Sequence, residues 1–105
     1  MKEITVQELN DWLQSKEDFV LVDVREPLEI ETGNLGGKQI PMGEILNRLH
    51  EIPTDKKVVI HCKAGGRSAN VIRYLSAEKG FQNLYNLTGG ILAWKNEIDP
   101  SIDVL

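Results

Sequence analysis

The chain has 105 residues, 41% apolar and 27% charged, with a formal net charge of −4. Those proportions belong to one globular domain (residues 1–105) long enough to bury a core of its own. They argue against a general nucleic-acid binder, because non-specific polyanion binding needs clustered Lys and Arg. One cysteine excludes an internal disulfide, and with two histidines it does not readily make a closed zinc site, so no metal or cofactor is expected. The opening Met-Lys-Glu-Ile-Thr-Val lacks the apolar region of a signal peptide, and no apolar run approaches bilayer length. A free thiol suits a reducing compartment. The expectation is a cytoplasmic protein with no membrane partner.

Ile4-Thr5-Val6 reads as a short strand. Thr5 then caps a helix with Glu8 as its capping-box partner, and Leu9, Trp12 and Leu13 give that helix an apolar face. Phe19–Val24 is a near-continuous apolar run, as in a parallel strand buried on both faces. Asp23-Val24-Arg25-Glu26-Pro27 stands at its C-terminal end, the edge where open α/β sheets form sites, and Pro27 suits the first turn of a helix. Residues 33–43 hold four of the nine glycines and read as a loop with a short strand near Lys38–Pro41. A helix is predicted from Gly43 to His50, with Ile45, Leu46 and Leu49 inward and His50 as a C-terminal charge partner.

Val58–His61 is the next strand. Cys62–Arg67 is a loop, and Ser68–Lys79 a helix with Val71, Ile72 and Leu75 on one face and Gly80 as its stop. Asn83–Leu87 is a strand, Thr88-Gly89-Gly90 a turn and Ile91–Glu97 a last helix carrying a packed Trp94. Alternating strands and helices with short connections predict an α/β layer sandwich around a mostly parallel sheet.

Cys62 therefore falls at a strand-to-helix turn. Unpaired N–H groups, the helix dipole and the cations Lys63 and Arg67 all favour its thiolate. Ala64, Gly65 and Gly66 leave room for backbone amides to ring the sulfur as an anion nest. His61 precedes Cys62 in a strand, where neighbours face opposite sides, so it is read as packing. Ser68 has two readings, helix N-cap or ligand. Arg67 also has two, a structural ion pair with Asp23 or Glu26 or a contact to substrate. The bland alternative for Cys62 is a buried inert thiol, against which the Lys/Gly/Gly/Arg/Ser turn argues.

Three segments in order resemble the rhodanese family: Asp23–Pro27, the Cys62–Ser68 loop, and Gly80–Trp94 as the closing strand, turn and helix. The resemblance implies a rhodanese-like three-layer sandwich, a five-stranded mostly parallel sheet flanked by helices on both faces. It implies a sulfurtransferase in which Cys62 carries sulfur as a persulfide, with Lys63, Ala64, Gly65, Gly66, Arg67 and Ser68 as the substrate-binding loop. Asp23, Arg25 and Glu26 become loop supports. The implied partners are a small anionic donor such as thiosulfate, a cysteine desulfurase, or a small sulfur-carrier protein. Gly33–Gln39 departs from the family's usual Gly-His-Ile segment, so no chemistry is assigned to Asn34. That variant, with Ile40–Glu44 and Asp99-Pro100-Ser101, is similar to rhodanese domains fused to adenylyltransferases of molybdopterin and thiamine synthesis. The rival readings are a non-catalytic or redox-sensing interaction module, and a phosphatase or arsenate reductase. The latter use a longer Cys-to-Arg loop than the four residues between Cys62 and Arg67.

Overall fold

The computed structural model describes residues Met1–Leu105. The first strand, β1 (Lys2–Ile4), lies two residues earlier than the sequence pattern suggests, because Thr5 is already the cap of α1 (Val6–Gln14). The capping box closes in both directions: Glu8 N donates to Thr5 Oγ1 at 3.1 Å and Thr5 N donates to Glu8 Oε1 at 3.0 Å. β2 (Phe19–Asp23) leads into α2 (Pro27–Thr32), with proline in the first helical turn where no N–H is needed. β3 is only Lys38–Gln39.

The helix predicted over Gly43–His50 is a 3₁₀ segment, Met42–Glu51, interrupted at Arg48. Threefold turns stack side chains differently from an α-helix. Ile45 is buried and Leu49 packs at the core margin, but Leu46 points outward at 56% exposure. His50 is exposed near the segment's end. Leu13 is likewise exposed, so the apolar face of α1 is narrower than its sequence suggests. β4 (Lys57–His61), α3 (Gly66–Lys79), β5 (Leu84–Leu87) and α4 (Gly90–Glu97) complete the chain. Gly80 ends α3 in the left-handed conformation, φ 73°.

The five strands are all parallel, in the order β1-β5-β4-β2-β3. Side chains alternate across each strand, so the sheet divides two cores. On one face Val22, Val58, Ile60 and Cys62 pack with Val71, Ile72 and Leu75 of α3 and with Ile45 and Ile52. On the other, Leu21, Val59 and Leu87 pack with Val6 and Leu9 of α1, edged by Trp12, Tyr85, Trp94 and Ile98. Trp12 lies against Phe19 and Tyr85, a packing role. β4 sits between β2 and β5, so the residues after His61 emerge at the middle of the C-terminal edge. No helix is long and apolar enough to cross a membrane.

Candidate active site

Cys62 continues the alternation of β4 on the α3 face, whereas His61 turns the other way. The chain then needs to reverse within a few residues into α3, and Gly65 makes that possible with φ 110°, a region closed to most side chains. α3 begins at Gly66 with Gly65 as its cap, so Ser68 is not the N-cap but lies within the first turn. From there it points back at the sulfur.

The Cys62 side chain is nearly enclosed; the residue is 1% exposed. Its Sγ accepts from Gly65 N at 3.1 Å and Ser68 N at 3.5 Å, and Ser68 Oγ stands 3.3 Å away. Burial pushes the thiol toward its neutral form. The Ser68 hydroxyl and the amides of Ser68, Gly65 and Ala64 outweigh that, and the thiol titrates below its ordinary range. Backbone amides thus point at the sulfur, with the Ser68 hydroxyl oxygen beside it.

Arg67 pairs with neither Asp23 nor Glu26. Its Nη1 and Nη2 donate to Glu29 Oε1 and Oε2 at 2.7 and 2.8 Å, a bidentate fork. That fork holds the Glu29 carboxyl at about 2, well below the usual carboxylate range. Glu26 is exposed and serves α2 through its backbone N–H, which donates to Glu29 Oε1 at 3.1 Å. Asp23 and Arg25 are buried and bind each other through Nε and Nη2, the latter at 2.8 Å. Arg25 also donates to the carbonyls of Glu29 and Gly33, fastening α2 to the sheet edge. His61 is buried with its Nε2 3.6 Å from Asp23 Oδ2, too long for a strong hydrogen bond. Burial lowers its basicity, so it is neutral and takes no part at the sulfur. Lys63 and Ala64 line the outer rim, with Ala64 and Gly66 exposed. Asn34 only braces its own loop, through Ile30 O and Gly36 N.

Two contributors were not legible in the sequence. Glu29 is one of several carboxylates in that stretch, and only the start of α2 at Pro27 turns it toward α3. Asn86 on β5 is buried, and Ser68 Oγ donates to its Oδ1 at 2.6 Å while its Nδ2 donates to Gly65 O at 3.2 Å. Its signals were its place in the Gly80–Trp94 segment and being a polar residue inside a buried strand, neither of which says that it meets Ser68. The turn after β5 approaches the loop closely: Ile91 N and Leu92 N donate to the carbonyls of Cys62 and Lys63, each at 3.0 Å. Elsewhere, Met42, Ile45, Leu46, Asn70, Val71 and Tyr74 line an apolar groove of about 210 Å³ that does not include Cys62.

A single sulfur among backbone amides, at a strand-to-helix turn on the C-terminal edge of a parallel sheet, is the site that this α/β fold builds. The profile of the family described as "Rhodanese-like domain" matches residues 5–97. A protein named "Sulfurtransferase" from Allochromatium vinosum is 42% identical over 95 residues, covering 90% of this chain and 88% of that one. "Probable adenylyltransferase/sulfurtransferase MoeZ" of Mycobacterium tuberculosis is 35% identical over 102 residues, 94% of this chain but only 26% of MoeZ. Among solved structures, a rhodanese-like domain protein from Staphylococcus aureus superposes with a TM-score of 0.83 at 33% identity, covering 100% of this chain and 99% of that one. The chain belongs to the rhodanese-like domain family, and its relatives include proteins named sulfurtransferases.

Proposed function

We propose that the protein is a sulfurtransferase that carries sulfane sulfur as a persulfide on Cys62. The carrying observation is the Sγ cradle of Gly65 N, Ser68 N and Ser68 Oγ, which favours a thiolate without a histidine base. With thiosulfate as donor, the Cys62 thiolate attacks the sulfane sulfur and an Sγ–S bond forms. The donor's S–S bond breaks, and sulfite leaves with the electron pair. An acceptor nucleophile then attacks the outer sulfur, and Cys62 thiolate is regenerated. No external oxidant or reductant is consumed. The amides at Ala64, Gly65 and Ser68 also suit the charge on the outer sulfur.

Lys63, at the rim, draws anionic donors toward the loop. Arg67 fixes the loop through Glu29, because its fork is already occupied. Asp23 and Arg25 support the edge from below. The physiological partners in this reading are a cysteine desulfurase as donor or a small sulfur-carrier protein as acceptor, which suits a chain whose relatives are named sulfurtransferases. A cytoplasmic setting suits a carrier thiol that must return to its reduced form.

The test is intact mass spectrometry after exposure to thiosulfate or to a persulfide-loaded cysteine desulfurase. The expected result is a gain of one sulfur atom, removed by a thiol reductant and absent in Cys62→Ser. No adduct from either donor on folded protein overturns the reading. Partner capture that survives Cys62→Ser would then favour an interaction module.

A further inference from the structure

Asn86 is a buried polar side chain beside the sulfur loop that sulfur transfer leaves without a task. Its orientation is fixed, because Nδ2 donates to Gly65 O at 3.2 Å and Oδ1 faces Ser68 Oγ at 2.6 Å. A hydroxyl has one proton. Three acceptors lie within reach of Ser68: Asn86 Oδ1 at 2.6 Å, Gly65 O at 3.3 Å and Cys62 Sγ at 3.3 Å. Gly65 O already accepts from Ala69 N and Asn86 Nδ2, and Asn86 Oδ1 is much the closest. With its proton there, Ser68 turns a lone pair to the sulfur. The Ser68–Cys62 contact is then made by the thiol S–H. A thiolate has no proton to give and needs the one that Asn86 holds.

We propose that Asn86 is a positioning residue acting through Ser68: it holds the Ser68 hydroxyl proton while Cys62 is a thiol and yields it to the sulfur when Cys62 ionises. The inference rests on the reading of Cys62 as the reacting sulfur. On ionisation the S–H bond breaks, the proton passes to solvent and the electron pair stays on Sγ. The Ser68 O–H rotates from Asn86 Oδ1 to Sγ without breaking. The thiolate then gains a hydroxyl donor beside the amides of Gly65 and Ser68, and Asn86 Oδ1 loses its partner. Asn86 thus orders the loop around the thiol form and offsets part of the lowering that the amides give the sulfur. The charged groups around this pair are Lys63 in the loop, Arg67 on α3 held by Glu29 of α2, and the Asp23–Arg25 pair with neutral His61 at the ends of β2 and β4. β5 presents Asn86 itself, and α4 presents the uncharged Gly90, Ile91 and Leu92.

Because the chain has one cysteine, its thiolate is read directly by ultraviolet absorbance against pH, with Cys62→Ser subtracted. Asn86→Leu frees the Ser68 proton, and the midpoint falls by about one pH unit, the difference between a hydrogen bond to a charged and to a neutral acceptor. A merely structural Asn86 would loosen the nest and raise the midpoint. Ser68→Ala raises it, and Asn86→Leu added to Ser68→Ala lowers it no further. A rise or no change in folded Asn86→Leu, or an equal fall with and without Ser68, overturns the proposal. Should the leucine variant fail to fold, the unmodified protein answers by NMR. The Asn86 side-chain signals are expected to titrate with the Cys62 midpoint, and flat signals overturn the proposal. None of these readouts needs a sulfur donor, so failure to load sulfur would count against the proposed function alone.

Discussion

Arg67 reaches from α3 to Glu29 of α2, and that pairing decides where its charge acts. Glu29 titrates at about 2, against an ordinary value of 4.5, chiefly through the Arg67 hydrogen bonds. A depressed carboxylate contributes stability that is present above about 4.5 and is lost as pH falls through about 2. Glu29→Gln is expected to cost about 1–2 kcal/mol at neutral pH. Its deficit relative to the unmodified protein is expected to shrink in acid over that window, as followed by denaturant unfolding. A constant deficit across pH would contradict the pairing. Cys62 obeys the same sign. Its thiol is lowered from an ordinary 9.0, so under the proposed function the initial rate of sulfur uptake is expected to rise with pH along an ionisation centred below that value, and Ser68→Ala is expected to move this limb upward.

At the scale of elements, the decisive contact is the turn after β5. Gly90 has φ 61°, and a Cβ there would stand 2.5 Å from Lys63 O and 2.6 Å from Cys62 O. Gly90→Ala therefore strains its own backbone and pushes α4 off the loop. A loss of about 1–3 kcal/mol is expected from the backbone alone, with slower sulfur uptake in stopped assays on folded protein. Normal uptake in that variant would show that α4 does not shape the nest. Much of this level was legible in the sequence, because caps and breakers are local: Thr5 with Glu8, Pro27, Gly80, and Cys62 between strand and helix. Leu46 and Leu13 were misread because apolar spacing says which residues share a face, but not how wide the buried stripe is. The 3₁₀ geometry of Met42–Glu51 then rotates that face. Glu29 and Asn86 escaped because each meets the loop from another strand–helix unit, a pairing that periodicity does not encode.

Across the whole molecule, the strand order puts β4 between β2 and β5, so residues from three separate stretches converge on the loop that holds the sulfur. Alternation announced the strands but not their neighbours, and the order emerged only from the fold. The two cores carry the bulk of the stability, and the α3-side core runs up to Cys62 itself. Leu75→Ala, in the middle of the α3-side core and fully buried, is expected to cost about 2–5 kcal/mol. Sulfur uptake per folded molecule is expected to stay near normal. Calorimetric unfolding beside mass-spectrometric loading separates the two, and parallel losses would mean that loop and core melt together.

The bonds from Ile91 N and Leu92 N to the carbonyls of Cys62 and Lys63 act on the sulfur without touching it. In a trans peptide the C=O and the N–H of the same unit point in opposite directions. Tethering the Lys63 carbonyl to α4 therefore turns the Ala64 N–H the other way, toward Sγ, where it contributes to lowering the thiol. The electrical polarity of the nest is thus set by a helix that the chain supplies last. Cut free of that helix, the Lys63–Ala64 peptide plane would lose the bond that keeps its oxygen turned away from the sulfur.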